Sequence, residues 1–306
     1  MKIVQIGTGG WGKNHSRVLS EFGVLSAICD TNPKLAEELG KKYSVNFYDS
    51  IENLLEREEF DAALVCTPTS THTEIASRLI ENKKHVFVEK PLTYLSEDGQ
   101  KLIETAKKNN IILTCGYIER FNPAVATVKD FLKSKKYGDL IRLEFYREHR
   151  MPQHIKDVGI IYDTSVHDID TALWLFDEVP DVVFAIAGSI NHEHEDFATI
   201  MLGFKDNKNA TISSNWITPT RVRNFNAVCT DARIFSNFIT QEIRIETNNG
   251  TENPKNEKTE PLSLEIRNFI DAIQGKNDLI VKPEQAVNVT KIAEAALLSS
   301  QKGTPI

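Results

Sequence analysis

Within "VGIIYDTSVHDID", residues 158–170, Asp163 and His167 stand four positions apart. On a helix that spacing puts both side chains on one face, one turn apart. A carboxylate beside an imidazole favours the imidazolium once the ring has taken a proton, so the pair suits removal of a proton from an alcohol. The same residues also fit a duller arrangement, an aspartate capping a helix and a histidine packed in a core. A second candidate is Lys90 in "HVFVEKPL", which ends an apolar strand. Partial desolvation there would ready an ammonium for proton transfer. Pro91, lacking an N–H, ends that strand. The third is "KIVQIGTGGWG", where Gly7, Gly9 and Gly12, with Gly10 and Trp11 between them, follow a strand and open a helix. Glycines so placed allow a tight turn, close approach of a pyrophosphate and close helix–sheet packing, with the helix N-terminus facing the phosphates. Asp30 ends the next strand 23 residues after Gly7. A carboxylate there accepts from ribose hydroxyls and repels a 2′-phosphate, which favours NAD over NADP; Asp30 also fits a local helix cap.

These groups need a scaffold, and the first 115 or so residues supply an alternation. "KIVQI", "VLSAIC", "AALVC", "HVFVE" and "IILTCG" read as strands buried on both faces, with helical stretches such as "PKLAEELGKKY" and "SEDGQKLIETAKKNN" between them. That pattern builds an α/β, doubly wound parallel sheet. Loops at the carboxyl ends of its strands line the ligand crevice, so "CTPTSTH" puts Thr67, Pro68, Thr71 and His72 beside the cofactor, and Glu89 and Lys90 follow on the next strand. Ser70 or Thr71 also fits as a simple cap of the following helix. After "ERFNPAVATVKDFLKSKK", longer alternating segments such as "LIRLEFYREH" and "FATIMLGF" dominate. They predict a C-terminal α+β domain with an open, mainly antiparallel sheet, so we place a cofactor domain over 1–117 and a substrate domain over 118–306. Residues 248–261 read as an exposed loop, and two amphipathic helices follow. Asp163 is expected to begin a helix whose Val166, Ile169, Leu173 and Phe176 face the core.

The net charge of −7 over 306 residues argues against nucleic acid or an anionic membrane as main partner. Cys29, Cys66, Cys115 and Cys229 are scattered without a CxxC and read as buried small hydrophobes in a reducing compartment. No apolar run reaches 18 residues and "MKIVQIGTGG" has no signal-peptide character, which points to the cytoplasm. "NHEHEDF" offers His192 and His194 as metal ligands, but no third ligand follows from spacing; we expect a polar turn there and no metal.

Taken in order, "GTGGWG", "CTPTSTH", "EKPL", "GYIERFNPA" and "DTSVHDID" resemble the glucose–fructose oxidoreductase/inositol dehydrogenase (Gfo/Idh/MocA) family, over most of the chain. The resemblance implies a Rossmann domain joined to an α+β domain whose outer sheet face makes dimers or tetramers. It also implies hydride transfer between a nicotinamide cofactor and a carbinol carbon of a sugar or cyclitol. Lys90, Asp163 and His167 take the places of the catalytic set, with His167 the favoured base, Asp163 orienting it and Lys90 assisting, and with Lys90 as the alternative base. Asp168 and Asp170 are expected to be structural. Arg147, Arg150, Arg221 and Arg223 supply cations suited to a diphosphate, with Trp216 of "SSNWITPTRVR" beside them in the substrate set; Arg120 and Asn122 join them from "GYIERFNPAV". Within the family these motifs look most like nucleotide-sugar 3-dehydrogenases acting on UDP-N-acetylglucosamine or its uronate. Ser165 and "VGIIY" depart from the glycine-rich sequence many members carry there. The competing expectations are an inositol or simple-sugar dehydrogenase, and a non-catalytic NAD-binding sensor.

Overall fold

The computed structural model describes residues 1–152 and 155–306. The chain runs β1 (Ile3–Ile6), α1 (Gly12–Glu21), β2 (Leu25–Cys29), α2 (Pro33–Tyr43), β3 (Asn46–Tyr48), α3 (Ile51–Arg57), β4 (Ala62–Val65), α4 (His72–Glu81), β5 (His85–Glu89), α5 (Ser96–Lys108) and β6 (Leu113–Gly116). There follow α6 (Pro123–Lys133), β7 (Leu140–Glu148), α7 (Val166–Phe176), β8 (Val182–Gly188), β9 (Phe197–Gly203), β10 (Asn209–Asn215), β11 (Val222–Cys229), β12 (Ala232–Asn237), β13 (Ile243–Thr247) and β14 (Gly250–Glu252). Two helices close it, α8 (Pro261–Ile273) and α9 (Pro283–Lys302). One compact unit takes Met1–Gly116 with Leu262–Val287; the other takes Tyr117–Pro261 with Asn288–Ile306.

The first unit is a six-stranded parallel sheet in the order β3-β2-β1-β4-β5-β6, the Rossmann arrangement. Every residue of β1, β4 and β6 is buried, which is why these strands are mostly apolar, with Gln5 and Thr114 the polar exceptions. β3 does not read that way, because it is a three-residue edge strand with two exposed residues. The segment after Leu262 returns to this sheet: Phe269 of α8 packs edge-on against Phe87 of β5 at 5.8 Å, and the Thr114 hydroxyl of β6 donates to the Val281 carbonyl at 2.8 Å.

The second unit carries eight strands in the order β14-β13-β12-β11-β7-β10-β9-β8. All neighbours are antiparallel except β10 and β7. Along β7, Leu143, Phe145 and Arg147 are buried while Tyr146 is exposed, the alternation of a sheet covered on one face. Val166, Ile169 and Leu173 of α7 are buried as their spacing required. The edge strand β8 is capped by the last residue: Val183 and Ile306 exchange two backbone bonds of 2.9 Å. β14 lies inside the stretch expected to be loop, because it is three exposed residues long with only Thr251 favouring a strand. Among the described residues no helix is long and apolar enough to cross a membrane.

Candidate active site

In the first unit the glycine turn has the geometry of a dinucleotide cradle. Gly7 has φ +80°, and a Cβ there would lie 2.4 Å from the Cys66 carbonyl oxygen, so only glycine fits. A Cβ on Gly12 would lie 2.1 Å from the Gly7 oxygen, and one on Gly9 would meet nothing within 4 Å. Gly9 therefore faces open space at the N-terminus of the ten-residue α1, beside Gly10 and an exposed Trp11. The Gln5 side chain braces the turn from below, donating to the Gly7 oxygen at 2.8 Å. Asp30 braces it from the side: one carboxylate oxygen accepts from the Thr8 amide and hydroxyl at 2.7 and 2.6 Å, the other from Asn32 N–H at 2.8 Å. The oxygen that accepts only from Asn32 keeps a lone pair for a ribose hydroxyl, so the donor and acceptor set fits NAD.

The loop after β4 divides the expected cofactor residues. The Thr71 hydroxyl donates to the Pro68 carbonyl at 2.8 Å and accepts from the Thr67 hydroxyl at 2.7 Å, closing a short 3-10 turn. His72 is buried, its ring nitrogens 2.8 Å from the Pro91 carbonyl and 3.0 Å from the Thr67 carbonyl. It is a strut between the loops after β4 and β5, which shapes the cradle without reaching into it. Glu89 is likewise turned inward, onto His15 at 2.8 Å and the Lys90 amide at 3.0 Å. The peptide bond from Lys90 to Pro91 is cis. The Sγ of Cys66, the Nε2 of His15 and the Glu89 carboxylate lie within 4.8 Å of one another. Two ligands at ~2.0 Å on one tetrahedral ion sit about 3.3 Å apart. The His15–Glu89 separation is a hydrogen bond instead, and burial holds the Cys66 thiol well above its ordinary pKa.

In the second unit, Asp163 does not begin a helix. It lies inside a π-turn, Ile161–Ser165, that runs directly into α7 and His167. Glu195 builds this turn: its backbone carbonyl accepts Ile160 N–H at 2.8 Å and its carboxylate accepts Ile161 N–H at 3.2 Å. Gly159 leaves space for that carboxylate, which an added Cβ would approach to 2.1 Å. Buried Trp216 donates Nε1–H to the Thr164 hydroxyl at 3.1 Å, and that hydroxyl donates to Asp163 Oδ2 at 3.1 Å. Sequence reasoning missed Thr164, Glu195 and His15. The signal for Glu195 was present in "NHEHEDF", but it is an anchoring carboxylate beside two histidines rather than a ligand set.

The arginines separate into two groups. Arg147 is 1% exposed; it holds Asp168 through three bonds of 2.8 to 3.1 Å and Glu119 at 3.1 Å. Against the cost of burial, those carboxylates raise its pKa above the usual guanidinium range. Arg120 makes a buried bidentate pair with Asp170 at 2.6 and 2.9 Å. Asn122 caps α6 at the Ala124 amide and donates to Glu119 and the Phe238 carbonyl. Arg120, Asn122, Arg147 and Trp216, all expected to touch substrate, are buried and partnered inside the fold, as buried polar groups must be. Arg150 and Arg221 are exposed. Arg223 stands opposite Arg147 across β11 and β7, half-buried, and its Nε has no hydrogen-bond partner among the described residues. Burial, then Arg147 and Arg221, push its pKa down to about 10, with Glu119 and Asp168 opposing. His149 is lowered by burial and by Arg223 and Arg221, while the Arg150 carbonyl and Asp163 act the other way. The surplus cations and Asp163 thus share one electrostatic neighbourhood.

Known proteins agree with this architecture. Residues 1–117 match the oxidoreductase family with an NAD-binding Rossmann fold, and 147–306 match its C-terminal alpha/beta domain. The UDP-N-acetylglucosamine 3-dehydrogenase of Acidithiobacillus ferrooxidans is 26% identical over 283 residues, 89% of this chain and 88% of its own. The myo-inositol 2-dehydrogenase of Thermotoga maritima is 32% identical over 219 residues, 67% of this chain and 65% of its own. An oxidoreductase from Agrobacterium radiobacter, solved with NAD+, L-tartaric acid and magnesium, shares the fold at a TM-score of 0.91 and 18% identity, covering 100% of this chain and 98% of its own. The chain belongs to the Gfo/Idh/MocA oxidoreductase family and is an NAD-dependent dehydrogenase acting on a CH–OH group.

Proposed function

We propose that the enzyme oxidises the C3 hydroxyl of a nucleotide sugar, UDP-N-acetylglucosamine or its uronate, to a 3-keto sugar. The observation that carries this reading is Arg223. Once Arg147 and Arg120 are neutralised within the fold, Arg223 remains a desolvated guanidinium without an Nε partner, beside Arg221 and His149. Such a group gains most from an anionic ligand, through charge-assisted bonds to a diphosphate or carboxylate. An inositol offers it nothing. The likeness to a UDP-N-acetylglucosamine 3-dehydrogenase along 89% of the chain supports the same substrate class.

NAD, when bound, supplies the hydride acceptor. Lys90, Asp163 and His167 form the catalytic set in this reading. His167 takes the hydroxyl proton, Asp163 favours the imidazolium that results, and Lys90 stabilises developing alkoxide charge. Arg150, Arg221 and Arg223 hold the anionic end of the substrate. The enzyme works in the cytoplasm as a homodimer or homotetramer joined through the outer face of the second unit's sheet, where Val182, Ile186 and Met201 are exposed. A second reading, inositol oxidation, draws on the higher identity of the inositol dehydrogenase over a shorter span. NADH formation separates the two. UDP-N-acetylglucosamine or its uronate should be turned over and myo-inositol not, and Arg223→Leu should raise the nucleotide-sugar KM. Turnover of myo-inositol alone, indifferent to Arg223→Leu, would refute the proposal.

A further inference from the structure

A buried imidazole lies beneath the glycine turn of the first unit, against the carboxylate that precedes Lys90. His15 on α1 is fully buried, with Nε2 2.8 Å from Oε1 of Glu89. The other carboxylate oxygen accepts the backbone N–H of Lys90 at 3.0 Å. Glu89 is only 9% exposed, so a carboxylate there depends on these two donors for what water would otherwise provide. The pocket is close-fitting. Phe87 packs against the imidazole at 5.5 Å, and on neighbouring β6 a Cβ added at Gly116 would come within 3.0 to 3.1 Å of the carboxyl group. A ring proton on Nε2 would face the carboxylate. Nδ1 is buried with no partner among the described residues, a place for a bare nitrogen rather than a second N–H.

We infer that His15 is a positioning residue: it fixes Glu89, and Glu89 fixes the backbone at Lys90. His15 sits one turn along the helix that begins at Gly12, so the helix facing the dinucleotide phosphates and the strand end carrying the lysine are held in one register. Without the imidazole, Glu89 keeps one donor in a dry pocket and turns toward solvent, taking its bond from the Lys90 amide. The catalytic consequence rests on the reading of Lys90 given above; the anchoring does not.

The test uses the NAD-bound enzyme and compares His15→Leu with His15→Gln, whose amide nitrogen lies as many bonds from Cα as Nε2 does. Amide hydrogen exchange at Lys90, turnover and NAD affinity are measured together. His15→Leu should speed exchange of the Lys90 amide at least about tenfold and lower kcat by about tenfold to a hundredfold, the scale of one charge-assisted hydrogen bond. NAD affinity should stay within about threefold. His15→Gln should restore both exchange and kcat. Gly116→Ala, which presses on the carboxylate without altering the imidazole, should also speed exchange, and it serves if His15→Leu does not fold. Unchanged exchange at Lys90, or equal damage from His15→Leu and His15→Gln, overturns the inference. Faster exchange with normal kcat supports the anchor and refutes the catalytic role of Lys90 instead.

Discussion

Thr164→Val exposes how firmly Asp163 is held. Valine matches threonine in shape but removes a hydroxyl that accepts from Trp216 Nε1–H and donates to Asp163 Oδ2, each at 3.1 Å. Trp216 and Thr164 are 4% and 3% exposed, so water does not replace the indole's bond. The bond to the carboxylate is worth ~1.5–3 kcal/mol, and the orphaned indole N–H costs another ~1–3 kcal/mol. The expected loss of unfolding free energy is about 3 kcal/mol, read from urea denaturation followed by circular dichroism. Trp216→Phe removes the stranded donor. The double variant Thr164→Val/Trp216→Phe should therefore recover about 1–2 kcal/mol relative to the sum of the single losses. Turnover should fall with the Asp163 bond in both Thr164→Val backgrounds and stay near normal in Thr164→Ser, which keeps the hydroxyl. Additivity of the two substitutions within about 0.3 kcal/mol would show that indole, hydroxyl and carboxylate are not one chain, and the reasoning would fail.

Gly9→Ala should weaken NAD binding by at least about tenfold while leaving the unfolding midpoint unchanged. Its Cβ meets no protein atom within 4 Å and fills only the space a pyrophosphate would use; unchanged NAD titration would contradict the cradle. Burial first, then nearby carboxylates, push the Cys29 thiol up to about 12 and the Cys229 thiol up to about 11. At pH 8 in the native state, Ellman's reagent should label these two far more slowly than in urea, where all four cysteines react. His85 is lowered by burial, with Asp61 opposing, and its Nδ1 accepts the Ile112 N–H at 3.0 Å. The folded state thus prefers the neutral ring. That contribution is complete above the unfolded value near 6.5 and is lost as pH falls through the depressed folded pKa. His85→Asn keeps an acceptor without titrating, so it should shrink the drop in urea midpoint between pH 7.5 and 5.5; an unaltered drop would refute the assignment.

Much of the first unit was readable because doubly buried parallel strands must be apolar throughout and the phosphate turn must be glycine. β1, β2, β4, β5 and β6 all carry that signature, whereas β3, held at an edge with Asn46 and Phe47 exposed, does not. In the second unit β7 to β10 announced themselves by alternation, and β12 and β14 did not. "ARIFSN" directly follows a tight turn, and "GTE" has no side chain that a sheet requires. Nothing in "LSLEIRNFIDAIQG" says which body an amphipathic helix will join. The pairing of Phe269 with Phe87 is set 182 positions apart, beyond any local pattern. Around Asp163 the spacing to His167 was legible, but the π-turn was not. It depends on Glu195 reaching the Ile161 amide across Gly159, a contact between residues 34 positions apart.

The arginines show why residue type alone misjudges an anion site. Five were candidates on equal terms: Arg120, Arg147, Arg150, Arg221 and Arg223. Burial decided among them, since a guanidinium removed from water must be neutralised and the fold supplies Asp170, Asp168 and Glu119 for two of them. Those aspartates lie on α7 itself, the helix that carries His167. The inner arginines therefore tie that helix to its surroundings: Arg147 joins it to β7, and Arg120 to the turn before α6. Arg223, directly opposite Arg147 in the next strand, inherits a site whose carboxylates are already taken up. Burial above all, then Arg147 and Arg221, lowers its pKa, with Glu119 and Asp168 opposing, and its Nε has no hydrogen-bond partner among the described residues. An anionic substrate would give that Nε the acceptor it lacks among the described residues, beside the helix that holds the proposed base.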